Sequence, residues 1–231
     1  MNEKKLPLNS LHLKLLAMVT MLIDHMGLTL FPYALWMRCV GRLAFPIFCF
    51  LMAEGCARTH DRKRYAARLL GFAVLSEPAF DLMCSGVWFS PDEQNVLWTL
   101  LLGALVCWAM DWAGTRPELW QRLPADAALA VGFLLGQWGS TDYGGWGVLL
   151  VALFYMTREI RGKWAVQLAG LGLFCWFCTP WRIELLAVLA LIPICLYNGE
   201  RGFSSRAVQY GFYAFYPAHI LILGMLARYV W

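Results

Sequence analysis

The residues best suited to chemistry are ionisable side chains set deep inside apolar segments. Asp24 and His25 are adjacent in the first such segment, Glu77 and Asp81 stand four apart in the third, and His219 is central in the last. An Asp at a bilayer midplane costs about 2.5–3.5 kcal/mol on an insertion scale. Such groups face a protein interior or a wet cavity, and by default they mark a functional site. Histidine titrates near neutrality, so it can take up and return a proton at working pH. Asp24 with His25 therefore reads as a candidate catalytic pair, and His219 as either a functional group or a satisfied core histidine. Neighbouring helical residues point about 100° apart, so Asp24 does not orient His25. Its natural partner is a cation from another helix, and Arg42 in the second segment is the best placed. Opposite charges offset each other's burial cost. His25 is left to face a cavity alone or to meet His219 across it. The plainer reading of Asp24 is a polar clamp between helices.

Further polar residues are candidates for the lining of a substrate cavity. Glu54 either pairs with Arg58 one turn away or faces an inner cavity. Glu77 and Asp81 share a helix face, and two carboxylates in low dielectric retain a proton or recruit a cation. Asn95 opens the fourth apolar run. Asp142, Tyr143, Gly144 and Gly145 open the sixth, where glycine permits a tight turn or close backbone approach. The stretch from Arg58 to Arg68 is strongly basic. It reads as a topology anchor on anionic lipid, as a phosphate-binding surface built from Arg62, Lys63, Arg64 and Arg68, or as both. Eight cysteines fall mostly in apolar runs, where a free thiol behaves as a small hydrophobe. No disulfide and no metal site is expected.

The elements that must hold these groups follow from hydropathy. Of 231 residues, 60% are hydrophobic and 15% charged. A soluble domain is nearer half apolar and a quarter charged. The expectation is an all-α, polytopic transmembrane bundle forming one domain over residues 1–231. Apolar runs fall at 11–32, 36–57, 65–86, 94–113, 124–139, 145–158, 163–179, 183–198 and 207–230, which gives about nine spans. Pro46 should kink the second. The first is a retained helix, because it is long, holds Asp24 and His25, and lacks a small-x-small cleavage site. Lysines and arginines concentrate in alternate connections: the N-terminus with Lys4 and Lys5, 58–68, Arg116 and Arg122, 158–163, and Arg201 and Arg206. The excess of basic residues, with nine spans, predicts a cytoplasmic N-terminus and an outside C-terminus. No internal repeat is visible, which counts against an inverted-repeat transporter.

Several of these pieces, taken in order, resemble the TraX family of conjugal-transfer pilin acetylases. They are Ile23-Asp24-His25, the run Gly41-Arg42-Leu43-Ala44-Phe45-Pro46-Ile47-Phe48 to Glu54-Gly55, and the basic stretch to Arg68-Leu69-Leu70. Ser76-Glu77-Pro78 with Phe80-Asp81-Leu82 follows, then Asn95, Asp142-Tyr143-Gly144 and Phe215-Tyr216-Pro217-Ala218-His219. The resemblance implies membrane acetyl transfer from acetyl-CoA to an amine or hydroxyl acceptor: a peptide N-terminus such as pilin, or a sugar- or lipid-linked group. On that expectation the donor's phosphates dock at Arg62, Lys63, Arg64 and Arg68. His25, Asp24, Arg42 and His219 form the catalytic group. Glu54, Glu77, Asp81, Asn95, Asp142 and Tyr143 line the substrate cavity. General-base and acyl-histidine routes both remain open. A proton-coupled transporter, with the same residues relaying protons, and a structural assembly partner are the alternatives.

Overall fold

The computed structural model describes residues 6–114, 123–178 and 182–229. Among these the secondary structure is helical, with two isolated bridges and no strand. Helix α1 (Ser10–Thr29) starts at a reciprocal cap. The Asn9 side chain accepts from the His12 amide at 3.0 Å, and the His12 ring accepts from the Asn9 amide at 3.3 Å. The second apolar run is broken into α2 (Leu35–Gly41) and α3 (Ala44–Arg58). Pro46 has no N–H for the Arg42 carbonyl four residues back, and its ring crowds that carbonyl. The expected kink is thus a full break, one turn before the proline. Helix α4 (Arg62–Ser85) is capped by Asp61, which accepts from the Arg64 amide at 2.9 Å, and stops at left-handed Gly86. Helices α5 (Val96–Gly114), α6 (Leu123–Trp138), α7 (Gly144–Thr157) and α8 (Lys163–Cys178) follow. A 3₁₀ segment (Arg182–Ala190) leads into α9 (Leu191–Cys195), and α10 (Arg206–Tyr229) closes the described chain.

Helix α3 is the central element. It touches α1, α5, α7, α9 and the 3₁₀ segment, and it buries Ile47, Cys49, Phe50 and Ala53. Helix α10 lies along α4 and also meets α1. The all-helical expectation holds, and each apolar run is mainly helical wherever the structure describes it. The span count needs correction. Among the described residues four helices are both long and apolar enough to cross a bilayer: Ser10–Thr29, Leu35–Arg58 (taken across its break), Val96–Ala113 and Arg206–Tyr229. Helix α4 has the length but carries Arg62, Lys63, Arg64, Arg68, Glu77 and Asp81. Helix α7 has 14 residues, about 21 Å at 1.5 Å per residue, against a hydrocarbon core of about 30 Å. Helices α6 and α8 have 16 residues each.

The reversing chain gathers its connections at two ends. At one end the start of α1 is bridged to the segment before α10, with Leu8 N donating to Leu196 O at 3.1 Å and Asn198 N to Leu8 O at 2.8 Å. This end also holds 58–62 and 158–163, and it carries most of the basic side chains. At the far end the 86–95 and 139–143 loops join through a Gln94–Thr141 bridge. Lys4, Lys5, Arg116 and Arg122, also part of the basic pattern, lie outside the described residues.

Candidate functional site

The break between α2 and α3 delivers Arg42 into the bundle, where it meets Asp24. One guanidinium nitrogen of Arg42 donates to both Asp24 oxygens at 2.7 and 2.8 Å. Arg38, one turn earlier, donates to Asp24 Oδ2 at 2.7 Å. The other terminal nitrogen of Arg42 donates to Glu184 Oε2 at 2.9 Å, and its Nε donates to the Arg38 carbonyl at 3.2 Å. Two carboxylates and two guanidinium groups thus form a formally neutral cluster. Glu184 is 1% exposed, and its second oxygen has no partner among the described residues. Gly41 makes room for the cluster, since a Cβ there would lie 2.0 Å from Asp24 Oδ1. The Asp24–Arg42 pair is as the sequence reading expects, whereas Arg38 and Glu184 are additions to it. Glu184 carried a usable signal, being the one carboxylate in an otherwise apolar run. Each of the Arg42 nitrogens makes at least one hydrogen bond within this cluster.

His25 points away from this cluster, as adjacent helix positions must. Its Nδ1 lies 2.8 Å from Nε2 of His219. The two rings are parallel within 4°, with centroids 5.0 Å apart. His219 Nδ1 is in turn 2.8 Å from the Phe215 carbonyl on its own helix. His219 is 5% exposed and also stacks on the Phe215 ring. The meeting of His25 with His219 is therefore realised.

A cavity of about 470 Å³ opens at the basic end. Lys14, Arg58, His60, Arg68 and Arg201 are the cations along it, and Met18, Phe48, Leu51, Leu100 and Phe212 are among its apolar walls. On α1 it extends to Met21 and on α10 to Phe215 and Tyr216. His25 and His219 stand about one helical turn beyond those residues. Of the four basic residues expected at a donor site, Arg68 alone lines this cavity. Its Nε is a buried donor without a partner among the described residues. Arg62 turns aside to Asp111 at 2.6 Å, Arg64 lies 3.8 Å from Asp61, and Lys63 is exposed. Lys14 and Arg201 were not foreseen. Glu54 satisfies both of its readings, since it pairs with Arg58 at 2.6 Å and lines the cavity.

The remaining predicted residues go elsewhere. Glu77 accepts from the Asn95 amide at 3.2 Å and from Trp98 Nε1 at 2.7 Å. Asn95, fully buried, donates to Glu77 and to the Ala73 carbonyl. Asp81 accepts from the Ser90 amide at 2.9 Å. These three tie α4 to the following loop and to α5, and they line neither this cavity nor the one at the far end. Asp142 and Tyr143 do line the far cavity, about 350 Å³, together with Asp92, Glu93 and Trp146. Burial raises the Asp142 carboxyl to about 7, against the opposing pull of Arg42. Tyr143 stacks on Phe45, with centroids 3.7 Å apart. Among the described residues no group of three or more His, Cys, Asp or Glu is arranged to hold a metal ion.

These features define a helical protein with, among its described residues, four helices suited to crossing a bilayer and a histidine pair just past the inner end of a cation-lined apolar cavity. The chain belongs to the TraX family, whose TraX protein description matches residues 10–227. It is 29% identical to "Probable fimbrial assembly protein FimC, serogroup H1" of Dichelobacter nodosus, over 96% of each chain. It is also 29% identical to "Protein TraX" of Escherichia coli strain K12, over 93% of this chain and 86% of that one. No solved structure matches it.

Proposed function

We propose that the protein is an integral-membrane acetyltransferase that moves an acetyl group from acetyl-CoA to an amine or hydroxyl acceptor. The carrying observation is the histidine pair one turn beyond an apolar cavity edged by Lys14, Arg68 and Arg201. A phosphorylated head with a slender arm suits that shape, and the unpartnered Arg68 Nε is a donor suited to one of its phosphates. On this reading the basic end faces the cytoplasm of a bacterial inner membrane, in keeping with its lysines and arginines. The relatives' printed names, TraX and fimbrial assembly protein, favour a pilin-like peptide amine as the acceptor.

His25 takes the proton from the attacking nitrogen as the C–N bond forms at the thioester carbonyl. The C–S bond breaks, and the same proton leaves with the sulfur as free CoA thiol. Asp24, Arg38, Arg42 and Glu184 fix the end of α1 that carries His25 and take no proton. The test is a detergent-purified preparation supplied with acetyl-CoA and a short peptide bearing a free N-terminus. Mass spectrometry is expected to show a peptide heavier by one acetyl group, with matching thiol release. Neither signal above a folded His25→Ala control would overturn the proposal.

A further inference from the structure

The hydrogen bonds of the histidine pair run in one direction, and that direction separates the two residues' roles. A carbonyl oxygen can only accept, so the Phe215 carbonyl requires the hydrogen of His219 to sit on Nδ1. Neutral His219 then has a lone pair on Nε2. Across the 2.8 Å contact, the shared hydrogen must belong to Nδ1 of His25. A neutral imidazole carries one hydrogen, so Nε2 of His25 keeps a lone pair. Among the described residues that atom takes no hydrogen-bond partner.

We infer that His219 is a positioning residue: with the Phe215 carbonyl as anchor, it locks His25 in the tautomer whose Nε2 is free to take a proton. This rests on the acetyl-transfer reading above and divides the labour within it. His219 has both ring nitrogens committed and does not itself act on substrate. When His25 is protonated at Nε2, its Nδ1–H stays on His219 Nε2, and the anchor bond to Phe215 is unchanged. The orienting group is a neutral ring rather than a carboxylate. The positive charge formed on His25 therefore has no counter-ion in contact, which favours handing the proton on to the departing sulfur.

The test has two arms. Nitrogen-15 NMR of histidine-labelled protein reads the tautomer of His25 directly, and with four histidines in the chain the signals are assigned by single substitutions. The expected spectrum has His25 protonated at Nδ1 in wild type and in His219→Gln, whose amide oxygen replaces the Nε2 acceptor. In His219→Leu the Nε2–H form should appear. His25 found mainly as the Nε2–H form in wild type overturns the inference whether or not the protein transfers acetyl groups. In the activity arm, His219→Leu is expected to lose about 100-fold or more in kcat, with His219→Gln within about tenfold of wild type. Equal losses in two folded variants overturn the positioning role. Wild type inactive but showing the expected tautomer overturns the acetyl-transfer reading and leaves the tautomer lock standing.

Discussion

Replacing Arg42 with methionine should be far more damaging than removing either of its carboxylate partners' charges. Arg42 is the link between Asp24 and Glu184. Without it Asp24 keeps Arg38 at 2.7 Å, but Glu184, 1% exposed, loses its one hydrogen-bonded cation. Leaving a buried charge unpaired costs about 3–5 kcal/mol, whereas an apolar replacement of the whole pair is often close to neutral. At roughly 2–4 °C per kcal/mol for a chain of this size, Arg42→Met should lower the melting temperature by about 6–20 °C. Glu184→Gln leaves Arg42 its two contacts with Asp24 and should cost about 1 kcal/mol, one ordinary hydrogen bond. The double variant Arg42→Met/Glu184→Met removes the stranded charge and should recover at least about 2 kcal/mol of the single-variant loss. A thiol-reactive dye can follow this in detergent, because Cys49 and Cys56 are buried and react once the bundle opens. A double variant no more stable than Arg42→Met, or a single variant that melts with wild type, would refute the cluster energetics.

Three further outcomes follow from named contacts. Gly41→Ala drives a Cβ against Asp24 Oδ1 and should cost about 1–3 kcal/mol as overpacking, read by the same melt; an unchanged midpoint would contradict the close approach. The Asp142 carboxyl, raised to about 7 when folded against about 3.9 unfolded, contributes stability that is full below the unfolded value and lost as pH rises through about 7. Melting temperature should therefore fall between pH 5 and pH 8, and Asp142→Asn should flatten that slope; a slope identical in both proteins counts against it. For CoA binding measured by calorimetry, Arg68→Gln or Lys14→Gln should weaken affinity about tenfold or more, the worth of one charge-assisted contact. Neutralising Lys63 and Arg64, which do not line the cavity, should change it by less than about threefold, and the reverse ranking would remove the cavity as donor site.

What could be read from the sequence was depth, and what could not was facing. His25 and His219 sit mid-segment, and Asp24 and Arg42 lie at similar distances from the turn joining the first two runs, so pairing by depth brought the right partners together. Arg38 escaped because it precedes the break that Pro46 imposes, and an unbroken helix would not have marked it out. Glu184 is 142 positions from Arg42, a contact that local periodicity cannot encode. The basic stretch misled through helix phase. Tyr65, Arg68 and Leu69 lie on the side that lines the cavity and Lys63 and Arg64 fall outside it, while Arg62, close in phase to Leu69, is drawn away by Asp111 on α5. Glu77 and Asp81 were correctly placed on one face. That face meets a loop whose amides and Trp98 occupy both carboxylates, which spacing alone could not show. Apolar runs located the helices but overstated the crossings, because α6, α7 and α8, at 16, 14 and 16 residues, fall short of the roughly 20 that span about 30 Å of hydrocarbon.

The bridge between Leu8 and Tyr197 has a bearing on a bond some 20 Å away along α1. Helix α1 begins just past that clasp and α10 after the loop 198–205, and the pair His25–His219 forms where the two helices run together. Sliding one helix by a single residue shifts it by 1.5 Å, more than the tolerance of a 2.8 Å contact. The short stretch of backbone before Asn9 therefore acts as a datum for the ring alignment, and cutting it away should unsettle two imidazoles it never touches.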